Sequence, residues 1–302
     1  MDMEIPLTPL RAFHLIVVHQ SFSRAAQHLG VTQPAVTQQI RRLERALGLQ
    51  LFHRDGRRIV LTEAGETLAA FAQRIFHLVD AAGDALASGS ELHTGHLKIG
   101  ASRTAGAYYV ADLLHRFKRR YPGVRVSLSV GNSQMVLASI LDFTLHAGLV
   151  AGRPEDPHLA ALPLISDGML LVLAPGHRLA RKSVLAIEGL RGQPLVLREP
   201  GSTTRRLIEQ AFQAHGLAVE PSMELESNEA IKSAVADGIG VAIMARAAVA
   251  QDLAAGRLVG RPLRPSLTLD FALVYHRDRV LSPLLASFLA LVTQPAPGGG
   301  PA

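Results

Sequence analysis

With 302 residues, 48% hydrophobic and 19% charged, the chain has room for two or three folded domains, and no uncharged apolar run approaches the ~20 residues that span a bilayer. It contains no cysteine, which excludes disulfides, thiolate metal sites and cysteine nucleophiles. A net charge of +6 suits a polyanionic partner, and an N-terminus carrying Asp2 and Glu4 lacks the basic segment of a secretion signal, so a cytoplasmic location is expected.

The charge is concentrated at one end. From Arg11 to Thr62 eight arginines face only Glu44 and Asp55, a net +6. Within this stretch Thr8–Val18 reads as a helix, with Leu10, Phe13, Ile16 and Val17 on its apolar side. Ser23 is the expected cap of a second helix, Arg24–Leu29, and Gly30 turns the chain into a third. In that third helix Thr32 is the expected N-cap, Pro34 sits in the first turn where no N–H is needed, and Gly48 ends the segment. Val36, Ile40, Leu43 and Leu47 form its apolar stripe. Pro34, Thr37, Gln38 and Arg41 fall on another face, beside Gln33, and carry the amide, hydroxyl and guanidinium groups that read base edges and hold phosphates. Helix, glycine turn, helix is the helix-turn-helix pattern, and the second helix of such a pair enters the major groove.

After Gly48, two short apolar segments flank Asp55-Gly56, a two-residue hairpin signal that places Arg54, Arg57 and Arg58 at the tip of a wing. These arginines suit backbone or minor-groove contacts; the plain alternative is a hairpin that exposes them for solubility. Thr62 then caps a helix over Glu63–Ser88, about 39 Å long at the usual rise. Leu68, Phe71, Ile75, Leu78, Ala82 and Ala85 alternate spacings of three and four, a heptad seam. A second copy of the chain is the expected cover for so long a stripe, with packing on the C-terminal domain as the competing reading.

From His96 strands alternate with helices. Strands are expected at Leu97–Ala101, Arg125–Val130, Leu145–Val150, Met169–Ala174, Pro194–Leu197, Met223–Glu226, Val241–Met244 and Leu267–Tyr275. Helices are expected around Val110–Tyr121, Thr203–His215, Asn228–Asp237 and Pro283–Val292. Such βα units imply mostly parallel sheets with helices on both faces. The Pro/Gly-rich tail Gln294–Ala302 lacks the composition of a packed segment.

Two strand-to-helix turns share a character. One holds Ser102, Arg103 and Thr104; the other holds Arg198, Ser202, Thr203, Thr204 and Arg205. Each places hydroxyls and backbone N–H groups beside arginine at a helix start, a favourable place for an anion, and ligands of open α/β sheets gather at such carboxyl ends of strands. Asn132, Ser133, Ser227 and Asn228 stand at equivalent positions. Each turn alone reads better as a helix cap; the four together point to binding. Arg198-Glu199 reads as an ion pair. No Gly-x-Ser-x-Gly elbow, phosphate loop or His-Glu-x-x-His pair is present, Gly238-x-Gly240 is a poor dinucleotide fingerprint, and the thirteen histidines lack ligand spacing, so neither catalytic residues, nor a metal site, nor a cofactor is expected.

The order of parts, with Ser23-Arg24-Ala25-Ala26, Leu29-Gly30-Val31-Thr32-Gln33-Pro34-Ala35-Val36-Thr37, Gly48-Leu49-Gln50-Leu51-Phe52-His53-Arg54 and Leu61-Thr62-Glu63-Ala64-Gly65, resembles the LysR-type transcriptional regulators over essentially the whole chain. Gly100-Ala101-Ser102, Tyr121-Pro122-Gly123-Val124, Gly131-Asn132-Ser133, Arg198-Glu199-Pro200-Gly201-Ser202 and Ser227-Asn228-Glu229-Ala230-Ile231-Lys232 resemble the carbon-fixation and sulfur-assimilation branch. Leu145–Gly152 departs from it, where relatives commonly carry acidic residues, and so does Arg103, where many carry a small residue. The resemblance implies a winged helix-turn-helix domain at 1–62, a dimerisation helix at 63–92, and an effector-binding α/β domain at 93–302 of the two-lobed, periplasmic-binding-protein-like kind. Its lobes would be 93–165 with 267–294, and 166–266. It further implies a homotetramer, a dimer of dimers on double-stranded promoter DNA, bending that DNA differently when a small anionic effector enters between the lobes, with RNA polymerase as a further partner. A two-lobed solute-binding protein and an enzyme fused to a DNA-binding head are the alternatives from other classes; the basic head weighs against the first and the missing catalytic constellation against the second.

Overall fold

The computed structural model describes residues 5–55, 58–87 and 95–294 and separates into two compact units, Met1–Leu86 and Ala87–Ala302. In the first unit, α1 (Leu7–His19), α2 (Phe22–Leu29) and α3 (Gln33–Leu47) are followed by a hairpin of β1 (Phe52–Asp55) and β2 (Arg58–Leu61), then α4 (Glu63–Ala87). Leu10, Phe13, Ile16, Ala25, Ala26, Val36, Ile40, Leu43 and Leu51 make one buried core. The apolar stripe of α3 therefore faces α1 and α2 and leaves its opposite face free.

Three local expectations change here. The cap of α2 is Ser21, not Ser23: Ser21 has extended backbone and its Oγ accepts the Arg24 N–H, so the helix starts at Phe22 with Ser23 inside its first turn. Thr32 takes the N-cap position of α3 with extended backbone but makes no side-chain capping bond. In the hairpin Asp55 pairs with Arg58, so the two connecting residues are Gly56 and Arg57, one step later than Asp55-Gly56, and both lie outside the described residues.

The seam of α4 also divides. Leu68 and Ala72 are buried and Ile75 and Phe76 pack on the core of the winged module itself, whereas Phe71, Leu78 and Val79 are 57%, 49% and 50% exposed. Leu68 and Ile75 thus serve the fold of their own chain, Phe71 and Leu78 lie on the outer face, Ala82 is exposed, and the side chain of Ala85 lies outside the described residues. The start of α4 is fixed by Thr62, whose Oγ1 accepts the Gly65 N–H at 3.0 Å and donates to Gln50 O at 2.7 Å. A Cβ at Gly65 would stand 2.1 Å from Leu51 O, so only glycine lets the helix approach the wing this closely.

The second unit runs β3 (His96–Ser102), α5 (Arg103–Tyr108), α6 (Val110–Arg120), β4 (Arg125–Gly131), α7 (Ser133–Leu141), β5 (Ala147–Ala151), β6 (Leu159–Leu173), β7 (Leu185–Ala186), β8 (Leu195–Arg198), α8 (Thr203–Ala214), β9 (Pro221–Leu225), α9 (Asn228–Ala236), β10 (Ala242–Ala245), α10 (Arg246–Ala254), β11 (Val259–Arg264), β12 (Thr268–His276) and α11 (Pro283–Thr293). An eight-stranded sheet has the order β4-β3-β5-β12-β6-β11-β7, with β10 also on β6, and β8 pairs with β9. The parallel expectation holds for β3 with β4 and β5, and for β8 with β9. At the centre it fails: β12 is antiparallel to both β5 and β6, and β10 and β11 are antiparallel to β6.

The central strand organises the unit. Residues Leu159–Gly168 of β6 pair with β12, while Met169–Leu173 pair with β10 and β11. One strand therefore passes from a first lobe (β3–β5, β12, α5–α7, α11) into a second (β7–β11, α8–α10), and β12 returns beside it. Between the lobes, the carboxyl ends of β3, β4, β5 and β8 deliver their turns to one cleft.

Candidate nucleic-acid interface and inter-lobe cleft

On the first unit, Gln33, Pro34, Thr37, Gln38, Arg41 and Arg45 share one surface of α3. Gln33, Pro34, Gln38 and Arg41 are exposed, and Thr37 is half-buried with its Oγ1 donating to Gln33 O at 3.1 Å. Exposed Ser23 lies against this surface, its Oγ donating to Gln33 Oε1 at 3.1 Å, and so links α2 to the free face. Arg24 and Thr32 are exposed nearby in sequence, on α2 and at the entry to α3. Arg45 was not among the expected site residues, although its i+4 spacing from Arg41 signals the same face; its Nε donates to Arg41 O. Arg54 and Arg58 lie on the paired strands of the wing, with side chains outside the described residues, and Arg57 lies outside them altogether.

In the second unit, Ser102, Arg103, Thr104, Asn132, Ser133, Arg198, Ser202, Thr203 and Thr204 converge on one cavity of about 10 Å³, room for about one water-sized group. Ser102 Oγ is buried there, at 4% residue exposure, with no hydrogen-bond partner among the described residues. Ser202 occupies the N-cap position of α8 with no side-chain capping bond, so its hydroxyl and the first N–H groups of this twelve-residue helix stand at the cavity. Asn132 Oδ1 caps α7 through the Met135 N–H at 2.8 Å, and its Nδ2 donates across the cleft to Pro200 O at 3.4 Å. Ser133 Oγ donates weakly to Ala151 O.

Arg103 and Arg205 are not the free anion donors that the sequence suggested, while Arg198 stands in the ion pair with Glu199 that the sequence did suggest. Arg198 donates from Nε and Nη2 to the two oxygens of Glu199 at 2.8 and 3.1 Å, a bidentate pair in which both residues are buried. Arg198 Nη1 donates to Asn228 Oδ1, and Asn228 Nδ2 reaches back to Thr104 Oγ1, so Asn228 stands behind the cavity rather than on it. Arg103 crosses between lobes to Glu199 at 3.2 Å and to Glu226. Arg205 is turned away from the cavity, paired with Glu209 at 2.7 Å and Glu224 at 2.9 Å; the hydrogen bond to Glu209 leads the interactions that raise its pKa. Ser227 holds the N-cap position of α9, without a side-chain bond, and is not on the cavity wall. The polar hydroxyl cluster is therefore assembled, while its cations are already paired.

The cavity opens beside a groove of about 670 Å³ whose further lining includes Gln134, Leu137, Leu141, Arg153 and Arg206. Sequence reasoning missed Gln134, Leu137 and Leu141 because α7 was not foreseen, and it missed Arg206 although the helix that carries it was expected; Arg153, two residues after the end of β5, could have been found by the same carboxyl-end rule. Close approach of the lobes needs two left-handed glycines. A Cβ at Gly152 (φ +78°) would lie 2.8 Å from Thr203 Cγ2, and one at Gly201 (φ +83°) 2.8 Å from Gln134 Oε1. Tyr109 adds a tie at the crossing strand: its hydroxyl donates to Asp167 Oδ2 at 2.7 Å, which also accepts the Ala247 N–H at 3.0 Å. Burial, then this bond, raises the Tyr109 pKa.

Away from the cleft, folding gathers three scattered residues, His158, His276 and Asp278, with possible ligand atoms within 4.8 Å of one another. His276 Nδ1 accepts the Asp278 N–H at 3.1 Å, so that nitrogen is already engaged within the cluster.

Comparison with known proteins assigns both parts of the chain to domain families. Residues 7–66 match the bacterial regulatory helix-turn-helix protein, lysR family, and residues 90–296 match the LysR substrate binding domain. The HTH-type transcriptional regulator CbbR of Rhodospirillum rubrum is 34% identical over 291 residues, 95% of each chain. The RuBisCO operon transcriptional regulator of Allochromatium vinosum is 30% identical over 299 residues, 97% of each chain. Among solved structures, the regulatory domain of Synechocystis PCC6803 CcmR in complex with 2-PG is similar with a TM-score of 0.61 and 27% identity, covering 66% of this chain and 95% of that one. No helix among the described residues is long and apolar enough to cross a membrane. The chain belongs to the LysR family of transcriptional regulators, with a DNA-binding helix-turn-helix and an effector-binding domain, is similar to regulators of the carbon-fixation branch, and acts as a regulator rather than as an enzyme.

Proposed function

We propose that the chain binds promoter duplex in the cytoplasm as a homo-oligomer, through the exposed face of α3 and the wing, and that a small anion between the lobes sets which DNA-bound state prevails. Gln33, Thr37, Gln38 and Arg41 would reach base edges and phosphates; Ser23, Arg24, Thr32 and the wing arginines Arg54, Arg57 and Arg58 would fix register on the backbone. The outer face of α4, with Phe71 and Leu78, would pair two chains, and two such pairs would make the tetramer that can engage RNA polymerase.

The observation that carries the effector reading is the orphaned Ser102 hydroxyl, buried among Thr104, Ser133, Ser202, Thr203 and Thr204 at the start of α8. A buried hydroxyl without a partner is costly, and the N-terminus of a helix carries about half a positive charge, so an anion satisfies both. Each charge-assisted bond contributes roughly 1.5–3 kcal/mol, and a few of them, less the cost of association, suit micromolar binding near −8 kcal/mol. The cavity has room for only a water-sized group, so an anion enters by shifting the lobes, and that shift couples binding to state.

Calorimetry against sulfate, sulfite, phosphate, 2-PG and phosphorylated sugars, with footprinting in parallel, tests the reading. An anion that binds at micromolar concentration and alters the footprint supports it; tight binding of an uncharged or cationic metabolite while every anion fails refutes it.

A further inference from the structure

We infer that Glu226 is an internal competitor for the anion, holding the Arg103 guanidinium that the cleft would otherwise present to it. This rests on the anion reading above and specifies how the same site is tuned.

Arg103 follows Ser102 directly and forms part of the small cavity wall. It is rooted in the first lobe, and both of its acceptors stand on the second. The two acceptors differ in what their departure would cost. Glu199 is buried, and its oxygens already hold the buried Arg198 through two bonds, so moving it would strand a charge away from water. Glu226 has a side chain 69% exposed, and among the described residues its hydrogen bonds and ion pairs are with Arg103 alone. Such an exposed carboxylate can exchange its partner for water at little cost.

Of the two carboxylates on Arg103, only the Glu226 arm is therefore exchangeable. An anion entering among Ser102, Thr104 and Ser202 would take over Arg103 Nη2 and release Glu226 to solvent. While paired, Glu226 lowers the cleft's affinity twice: it occupies a donor, and its negative charge stands near the ligand. The consequence has an unusual sign. Removing an ion pair from the cleft strengthens ligand binding.

Calorimetric titration of the full chain with inorganic phosphate, for wild type, Glu226→Gln, Arg103→Gln and the double variant, decides the matter. Release of an exposed partner worth about 1 kcal/mol predicts that Glu226→Gln binds phosphate about fivefold more tightly. Arg103→Gln should bind more weakly than wild type, and Glu226→Gln added to it should give no gain. If Glu226→Gln binds no more tightly than wild type, Glu226 is a strut between lobes and the inference is overturned while the anion reading stands. A gain that persists in the double variant overturns the role of Arg103. If phosphate and the other anions bind none of the four proteins, the anion reading itself fails, and the competitor role with it.

Discussion

Gln38 is exposed on α3 between Pro34 and Arg41, with its amide free to match a base edge. Truncation to alanine should cost roughly 1–3 kcal/mol at a cognate site and almost nothing on random duplex; equal losses in competition binding on both would remove its assigned role. His19 offers a second residue-level test. Its ring stacks on His28 at 4.4 Å, and burial, then His28 and Arg24, lower its pKa from 6.5. The folded state thus prefers the neutral ring, so this contribution is fully present above pH 6.5 and is lost as pH falls through the lowered folded value. In an NMR titration of ring signals His19 should have a midpoint below 6.5, moving upward in His28→Gln; a midpoint above 6.5 in the wild type would contradict the geometry. At this scale the sequence was a good guide to residue type and a poor one to pairing. Arg103, Arg198 and Arg205 are where helix-start reasoning put them, but their carboxylate partners come from Glu199, Glu209, Glu224 and Glu226, and in three of the five ion pairs the partner comes from another element of the chain. Buried Arg279, donating to Phe143 O and Leu145 O with its pKa lowered by burial to about 10, had no sequence signal at all.

Helices with a clear period of 3.6 were legible, and so were the short buried strands. The fifteen-residue β6 was only half legible: Met169–Leu173 is a continuous apolar run, but Pro163, Asp167 and Gly168 interrupt the pattern before it, and β12 accommodates them with a register shift at Phe271/Ala272. For α4 the heptad spacing merged two faces that the fold separates. Ile75→Asp would therefore damage the core of the winged unit, and Leu78→Asp is the variant that tests association. Leu78→Asp should leave the thermal midpoint nearly unchanged and shift sedimentation to smaller species; an unchanged sedimentation profile would place the interface elsewhere. At the cleft, Gly152→Ala puts a Cβ 2.8 Å from Thr203 at a φ of +78°, so it is strained as well as crowded. It should weaken anion binding at least severalfold in calorimetry, an effect of about 1 kcal/mol or more; wild-type affinity would show that the lobes need not approach here.

At the scale of the molecule, a basic recognition unit is joined to a sheet whose central strand belongs to two lobes. Any ligand that touches Ser102 from the first lobe and Thr203 from the second must favour one arrangement of β6 and β12 over another, and that preference is the only source from which a population shift can come. The order of parts and the family were legible from motifs alone, whereas the ligand is not, because the arginines nearest the cleft are paired with acids of the chain itself. The most direct measurement is footprinting of the full chain on its promoter, with and without the anion that calorimetry identifies, for wild type and for Ser102→Ala combined with Thr203→Ala. The account predicts an anion-dependent change in the wild-type footprint that disappears in the double variant while binding to DNA without anion stays intact. A double variant that keeps the full anion response would contradict it.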